Sequence, residues 1–215
     1  MNKADVINKI VECGVLPVIR AASAEEAVAA VDAIVAGGVT IIEVTMTVPG
    51  AVELIAELSA KYGDDILVGA GTVMDPETAR DCIGAGAGFI ISPALNLDTI
   101  QYCNDADVVV MPGALTPTEV VNAWDAGADF VKVFPAGAMG GASYLRSLKA
   151  PLPHIKLIPT GGVSQLTAGD MIRAGASAVG VGSDLVDLEA IRNGNAASIT
   201  AAAASYLSIV RHARD

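Results

Sequence analysis

A chain of 215 residues, 53% hydrophobic and with 22 glycines, suits one compact α/β domain over residues 1–215 and excludes a fibrous or disordered protein. Its net charge of −11 argues against a nucleic-acid partner, because phosphate backbones require a basic footprint. No apolar run reaches the ~18 residues of a spanning helix, and the start Met1–Asp5 carries an acid and is not followed by a signal-type apolar core, so the expectation is a cytoplasmic chain with no membrane role.

Asp5 to Cys13 reads as a short amphipathic helix with Gly14 as its stop. Val15–Arg20 is the first strand, and Ser23-Ala24-Glu25-Glu26 reads as a capping box opening a helix that runs to Ala36. Thr40–Thr45 is the second strand, followed by a helix from Ala51 to Tyr62. Ile66–Thr72 is the third strand, and Asp75-Pro76 starts the next helix. Gly88–Pro93 and Val108–Pro112 are strands on either side of a helix at Leu97–Cys103. Thr116-Pro117 is an N-cap followed by proline, opening a helix to Ala126. Phe130–Pro135 follows as the sixth strand, and a helix at Ala142–Lys149 comes after it. Ile155–Gly162 is the seventh strand with its turn, and Leu166–Ala174 is a helix. Ala178–Ser183 is the eighth strand, and a long helix from Asn195 to about Arg211 closes the chain.

Strict β-α alternation implies a parallel sheet. About eight such units with no linker between them imply a (βα)₈ TIM barrel preceded by an N-terminal helix. Ala36-Gly37, Ala85-Gly86, Ala126-Gly127 and Ala174-Gly175 recur between a helix and an even-numbered strand, a weak repeat of a double βα unit. The alternative is an open doubly wound sheet, but Arg20-Ala21-Ala22-Ser23 is not its glycine-rich nucleotide turn.

Barrel chemistry gathers at the carboxyl ends of the strands. Here that edge is Arg20, Glu43, Thr45, Thr47, Thr72, Pro93, Pro112, Lys132, Thr160 and Ser183. Lys132 is the one polar residue in Phe130–Ala136. A buried ammonium must be paired or must give up its proton, and a neutral amine attacks ketones to form a Schiff base. Strand alternation puts Ile41, Glu43 and Thr45 on one face and Phe130, Lys132 and Phe134 on another. If both faces point inward, Glu43 can move protons while Lys132 carries the covalent intermediate. Two plainer readings compete: a lysine snorkelling to solvent, and an inert buried ion pair. Gly161-Gly162 and Gly182-Ser183 end the seventh and eighth strands, where barrels often hold a phosphate on backbone N–H groups and a short helix N-terminus. Ordinary βα turns also favour glycine.

His154 and His212 are isolated, so no metal site is expected, and the odd set Cys13, Cys82 and Cys103 shows no metal or redox spacing.

The ordered set Gly37-Gly38-Val39, Ile42–Thr45, Val68–Val73, Ile91-Ser92-Pro93, Met111-Pro112-Gly113, Val131–Ala136 and Pro159–Val163 resembles one family. It is that of the bacterial class I aldolases cleaving 2-keto-3-deoxy-6-phosphogluconate (KDPG), shared with 4-hydroxy-2-oxoglutarate (KHG) aldolase. The likeness spans nearly the whole chain. It implies Lys132 as Schiff-base lysine, Glu43 as acid/base, Thr72 near the pyruvate carboxylate, and Gly161, Gly162, Gly182 and Ser183 around the phosphate. Pro93 and Phe134 join the implied substrate contacts. The implied substrate is a small phosphorylated 2-keto acid, in a homotrimer with no cofactor. Thr160 resembles the position favouring the gluconate epimer, where phosphogalactonate aldolases tend to have valine. One departure is Thr47, where many members carry an arginine for the pyruvate carboxylate. The expectation is that Arg20 supplies that charge, against the alternative of a rim salt bridge. Other readings that remain are a phosphate-sugar isomerase or synthase with an unreactive Lys132, and a trimeric scaffold with a silent site.

Overall fold

The computed structural model describes residues 1–215. Its staves are β1 (Val15–Ile19), β2 (Ile41–Thr45), β3 (Leu67–Gly71) and β4 (Phe89–Ile91). They continue with β5 (Val109–Met111, resumed past Pro112 as Gly113–Ala114), β6 (Val131–Val133), β7 (Leu157–Pro159) and β8 (Val179–Val181). Neighbours from β1 to β5 pair in parallel, as do β6 with β7 and β8 with β1. Two junctions complete the ring. Gly113 and Ala114 pair with Lys132 and Val133, and the Lys132 N–H reaches Pro112 O at 2.9 Å, so the stave runs through the proline. Single bridges Leu157–Ala176 and Thr160–Gly180 join β7 to β8.

The barrel interior is a compact apolar plug. Leu16, Ile41, Leu67, Phe89, Val109, Phe130 and Ile158 pack together at or near the starts of their staves, and Val6 and Ile10 of helix α1 (Lys3–Cys13) close that end. The helix forms there because Asn2 and Asp5 make a reciprocal capping box and Gly14, at φ +68°, stops it. Each fully buried Leu, Ile or Phe contributes roughly 1.5–3 kcal/mol. Helix α1 and the plug thus fill the amino end of the barrel interior. A second shell of 53 buried residues fills the space between the staves and the outer helices.

The outer helices are α2 (Ala24–Ala36), α3 (Ala51–Tyr62), α4 (Pro76–Gly84), α5 (Leu97–Asp105) and α6 (Pro117–Asp125). They continue as α7 (Ala142–Lys149), α8 (Ala168–Arg173), α9 (Leu188–Arg192) and α10 (Ala196–Arg214). Helices α2, α4, α6 and α8 end alike. Gly38, Gly86, Gly127 and Gly175 take φ between +94° and +101° and donate to a carbonyl three residues back. The repeat is therefore real, but its turn glycine in the first copy is Gly38, not Gly37, which stays at φ −81°.

Three further expectations change. Ser23 caps α2, but Glu26 bonds the Ala22 N–H and Arg192 rather than the Ser23 N–H, so the capping box is half made. Two capping boxes form unpredicted, Asn2 with Asp5 on α1 and Thr116 with Glu119 on α6. The short helix α9 was not anticipated, although Asp187 caps it and Gly194 follows it.

Candidate active site

The alternation in β2 and β6 decides the centre of the site. Ile41 and Phe130 point into the barrel plug, so Glu43 and Lys132, two residues on, point into the barrel above it. Lys132 Nζ lies 3.5 Å from Glu43 Oε1, with side-chain exposures of 3% and 1%. This removes the snorkelling lysine, which would need an exposed amine. An inert buried pair is stable only when its remaining lone pairs and protons are hydrogen-bonded. Here neither Glu43 oxygen has a hydrogen-bond partner. The carboxylate faces the amine with its acceptor capacity unspent, an arrangement able to take and return protons at a group bound to that amine.

Glycine makes room for this carboxylate. A Cβ at Gly71, on β3 beside β2, would stand 1.9 Å from Glu43 Oε1. The next residue, Thr72, adopts φ +59°, a left-handed conformation that is costly for a β-branched side chain and clusters at functional sites. Thr45 donates to Ile19 O at 2.8 Å and pairs with the hydroxyl of Thr47 at 2.6 Å, tying the ends of β1 and β2 together.

Beside the pair opens a cavity of about 670 Å³. Its wall brings together seven of the residues expected from the sequence: Arg20, Phe134, Thr160, Gly161, Gly162, Gly182 and Ser183. Thr47, Thr72 and Pro93 are not on that wall, and neither are Lys132 and Glu43. Phe134 joins the two regions, since its ring lines the cavity and its centroid is 5.7 Å from Lys132 Nζ. Thr160 is 5% exposed, and its hydroxyl has no hydrogen-bond partner. Gly180 makes space for that hydroxyl, since a Cβ there would come within 2.2 Å.

Arg20 is exposed at the end of β1 and makes no ion pair, so the rim salt bridge is absent. It is the sole cationic residue on the cavity wall. Sequence reasoning missed the three carboxylates there, Asp184, Asp187 and Glu189. Asp187 Oδ1 accepts from the Ala190 N–H at 3.0 Å, so the start of α9 already carries a carboxylate cap.

Burial pushes the thiols of Cys82 and Cys103 up, to about 11 and about 12, leaving both as inert core groups. No helix is long and apolar enough to cross a membrane.

Comparison with known proteins gives a consistent picture. The family model described as "KDPG and KHG aldolase" matches residues 6–202. A 2-dehydro-3-deoxy-phosphogluconate aldolase from Dickeya dadantii is 36% identical over 88% of this chain and 88% of its own. A 2-dehydro-3-deoxy-6-phosphogalactonate aldolase from Escherichia coli is 34% identical over 79% of this chain and 83% of its own. The crystal structure of KDPG aldolase from Legionella pneumophila, with pyruvate captured as a covalent carbinolamine intermediate, superposes with a TM-score of 0.84. It is 32% identical and covers 92% of this chain and 97% of its own.

Proposed function

The chain belongs to the KDPG and KHG aldolase family, and from that premise we propose that it is a class I aldolase cleaving 2-keto-3-deoxy-6-phosphogluconate to pyruvate and glyceraldehyde 3-phosphate. The observation that carries the reading is the Lys132–Glu43 pair: 3.5 Å apart, almost fully buried, and with no hydrogen-bond donor from elsewhere in the protein on the carboxylate.

Lys132 attacks the C2 ketone, and loss of water gives a protonated imine that serves as electron sink. Glu43, directly or through water, takes the proton of the C4 hydroxyl. The C3–C4 bond then breaks. Its electron pair passes into the enamine of pyruvate, and C4 leaves as the aldehyde. Protonation of the enamine at C3 and hydrolysis of the imine return the free amine.

The cavity supports the rest of the substrate. Backbone N–H groups around Gly161, Gly162, Gly182 and Ser183 suit a phosphate. Arg20 shares a wall with these loops, which supports pairing with the phosphate rather than with the pyruvyl carboxylate. Thr72, Thr47 and Pro93, off that wall, are left for the pyruvyl end. The unpartnered Thr160 hydroxyl supports contact with a substrate hydroxyl, and hence the gluconate epimer. Cleavage of 4-hydroxy-2-oxoglutarate to pyruvate and glyoxylate uses the same pair without the phosphate loops. A homotrimer rests on the family resemblance, one domain over residues 1–215 on chain length and the unbroken β-α series, and a cytoplasmic location on the lack of a signal-type or spanning segment.

The test is turnover. The wild type releases pyruvate and glyceraldehyde 3-phosphate in equal amounts. Lys132→Met should abolish the release, and Glu43→Gln should lower kcat by about 100-fold or more. Retained turnover in Lys132→Met would remove the proposal.

A further inference from the structure

A polar cluster behind the cavity has no place in the mechanism so far. Asp184 follows Gly182–Ser183, and its Oδ1 accepts two hydrogen bonds. One comes from the backbone N–H of Gln165, at 3.3 Å, on the loop that carries Gly161–Gly162. The other comes from the hydroxyl of Tyr206 on α10, whose side chain is fully buried. The neighbouring Ser205 donates to Gln165 Oε1 at 2.9 Å. Consecutive residues of one helix thus each hold one glycine loop, and Asp184 ties the two loops to each other.

A cradle of backbone donors binds an anion well only when its donors are fixed in advance. These donors sit on two separate loops, and Gly161 and Gly162 take φ +86° and +76°, with no side chains of their own to anchor them. A carboxylate on such a wall is otherwise unfavourable, because it repels the anion. Asp184 has one carboxylate oxygen engaged by two donors, which gives it a reason to be there. Burial, together with the adjacent Asp184 carboxylate, pushes the Tyr206 hydroxyl far above the ordinary tyrosine range, so it remains a donor at all working pH.

We propose that Asp184, held by Tyr206, is a positioning residue that clasps the two glycine loops at the separation needed for the substrate's phosphate. The inference rests on the phosphate reading of those loops. It makes α10, distant in sequence from both loops, part of the specificity apparatus.

The experiment compares Asp184→Ala, Asp184→Asn and Tyr206→Phe with wild type in steady-state kinetics on two substrates, phosphorylated 2-keto-3-deoxygluconate and unphosphorylated 4-hydroxy-2-oxoglutarate. Asp184→Ala and Tyr206→Phe should raise KM for the phosphorylated substrate about tenfold, with kcat changed less than about twofold. KM for the unphosphorylated substrate should not follow. Asp184→Asn keeps the oxygen that accepts both bonds, so it should restore the KM lost in Asp184→Ala. A lower KM in Asp184→Ala would show that the carboxylate acts only as a repelling charge and would overturn the clasp. An equal rise for both substrates would overturn it too, by showing a general structural role. Should Tyr206→Phe fail to fold, the Ala and Asn pair at exposed Asp184 decides alone. If the wild type shows no kcat/KM advantage for the phosphorylated substrate, the phosphate reading itself fails and the clasp falls with it. An advantage that survives Asp184→Ala unchanged sinks the clasp only.

Discussion

Replacing Gly71 by alanine tests whether the position of Glu43 matters to within an ångström. The new Cβ would lie 1.9 Å from Glu43 Oε1 and 2.6 Å from both Cδ and Cγ. Restoring a contact of 3.4 Å requires the carboxylate to retreat by about 1.5 Å. The strand cannot give way instead, because β3 is paired with β2 at Gly71 itself and with β4 at Ala70. Misplacing a catalytic group by about 1 Å costs on the order of 100-fold, or about 2.7 kcal/mol of barrier at ~1.36 kcal/mol per tenfold. The assay is pyruvate release coupled to lactate dehydrogenase, with thermal melts alongside, since overpacking a core costs about 1–3 kcal/mol. Gly71→Ala should be folded, should still form an adduct on Lys132, and should lose about 100-fold in kcat. A folded Gly71→Ala turning over at the wild-type rate would refute the placement of Glu43 as the proton-transfer group.

Arg20→Ala should raise KM for the phosphorylated substrate by about tenfold or more, because a charge-assisted contact is lost while no protein ion pair is broken; unchanged kinetics would remove Arg20 from the site. Thr72→Gly should raise the melting temperature while lowering kcat. Release from φ +59° is worth about 1–3 kcal/mol against a glycine entropy cost of ~0.5–1, and a lower melting temperature would contradict the strain. Asp75 caps α4, and its bonds from the Thr78 N–H and hydroxyl hold its carboxyl below the ordinary range. A depressed carboxyl stabilises fully above its unfolded value, near ~4, and that contribution fades as pH falls through the folded value. Asp75→Ala should therefore melt below wild type at neutral pH, and the gap should close in acid. A gap constant from pH ~7 to ~2 would contradict this.

The features that set the barrel were readable because they are periodic. Every helix start carrying Asp75-Pro76 or Thr116-Pro117 was legible, since cap and proline chemistry is local. Strand parity put Glu43 and Lys132 on candidate inward faces 89 residues apart in the numbering, and the barrel's closure brings them together. The turn glycine of the first repeat was misread by one residue because Gly37 and Gly38 are adjacent, and only backbone geometry separates them. The break at Pro112 was taken as a strand end, whereas the stave resumes at Gly113 because Pro112 still offers its carbonyl to Lys132. Ser23–Glu26 matched a capping box in sequence, but Glu26 is drawn away by Arg192, 166 residues distant. Asp184 illustrates what local patterns cannot carry. Its partners Gln165 and Tyr206 are 19 and 22 residues away on separate elements, and nothing in the residues around it marks it as facing the mouth.

The account depends most on the nitrogen of Lys132 becoming covalently bound to substrate. Wild-type protein incubated with pyruvate and reduced with borohydride, then digested and sequenced by mass spectrometry, reads this directly. The expected result is a single N-(1-carboxyethyl) adduct on Lys132, absent from Lys132→Met. An adduct on any other lysine, or none on a protein that is folded and active, would contradict the account.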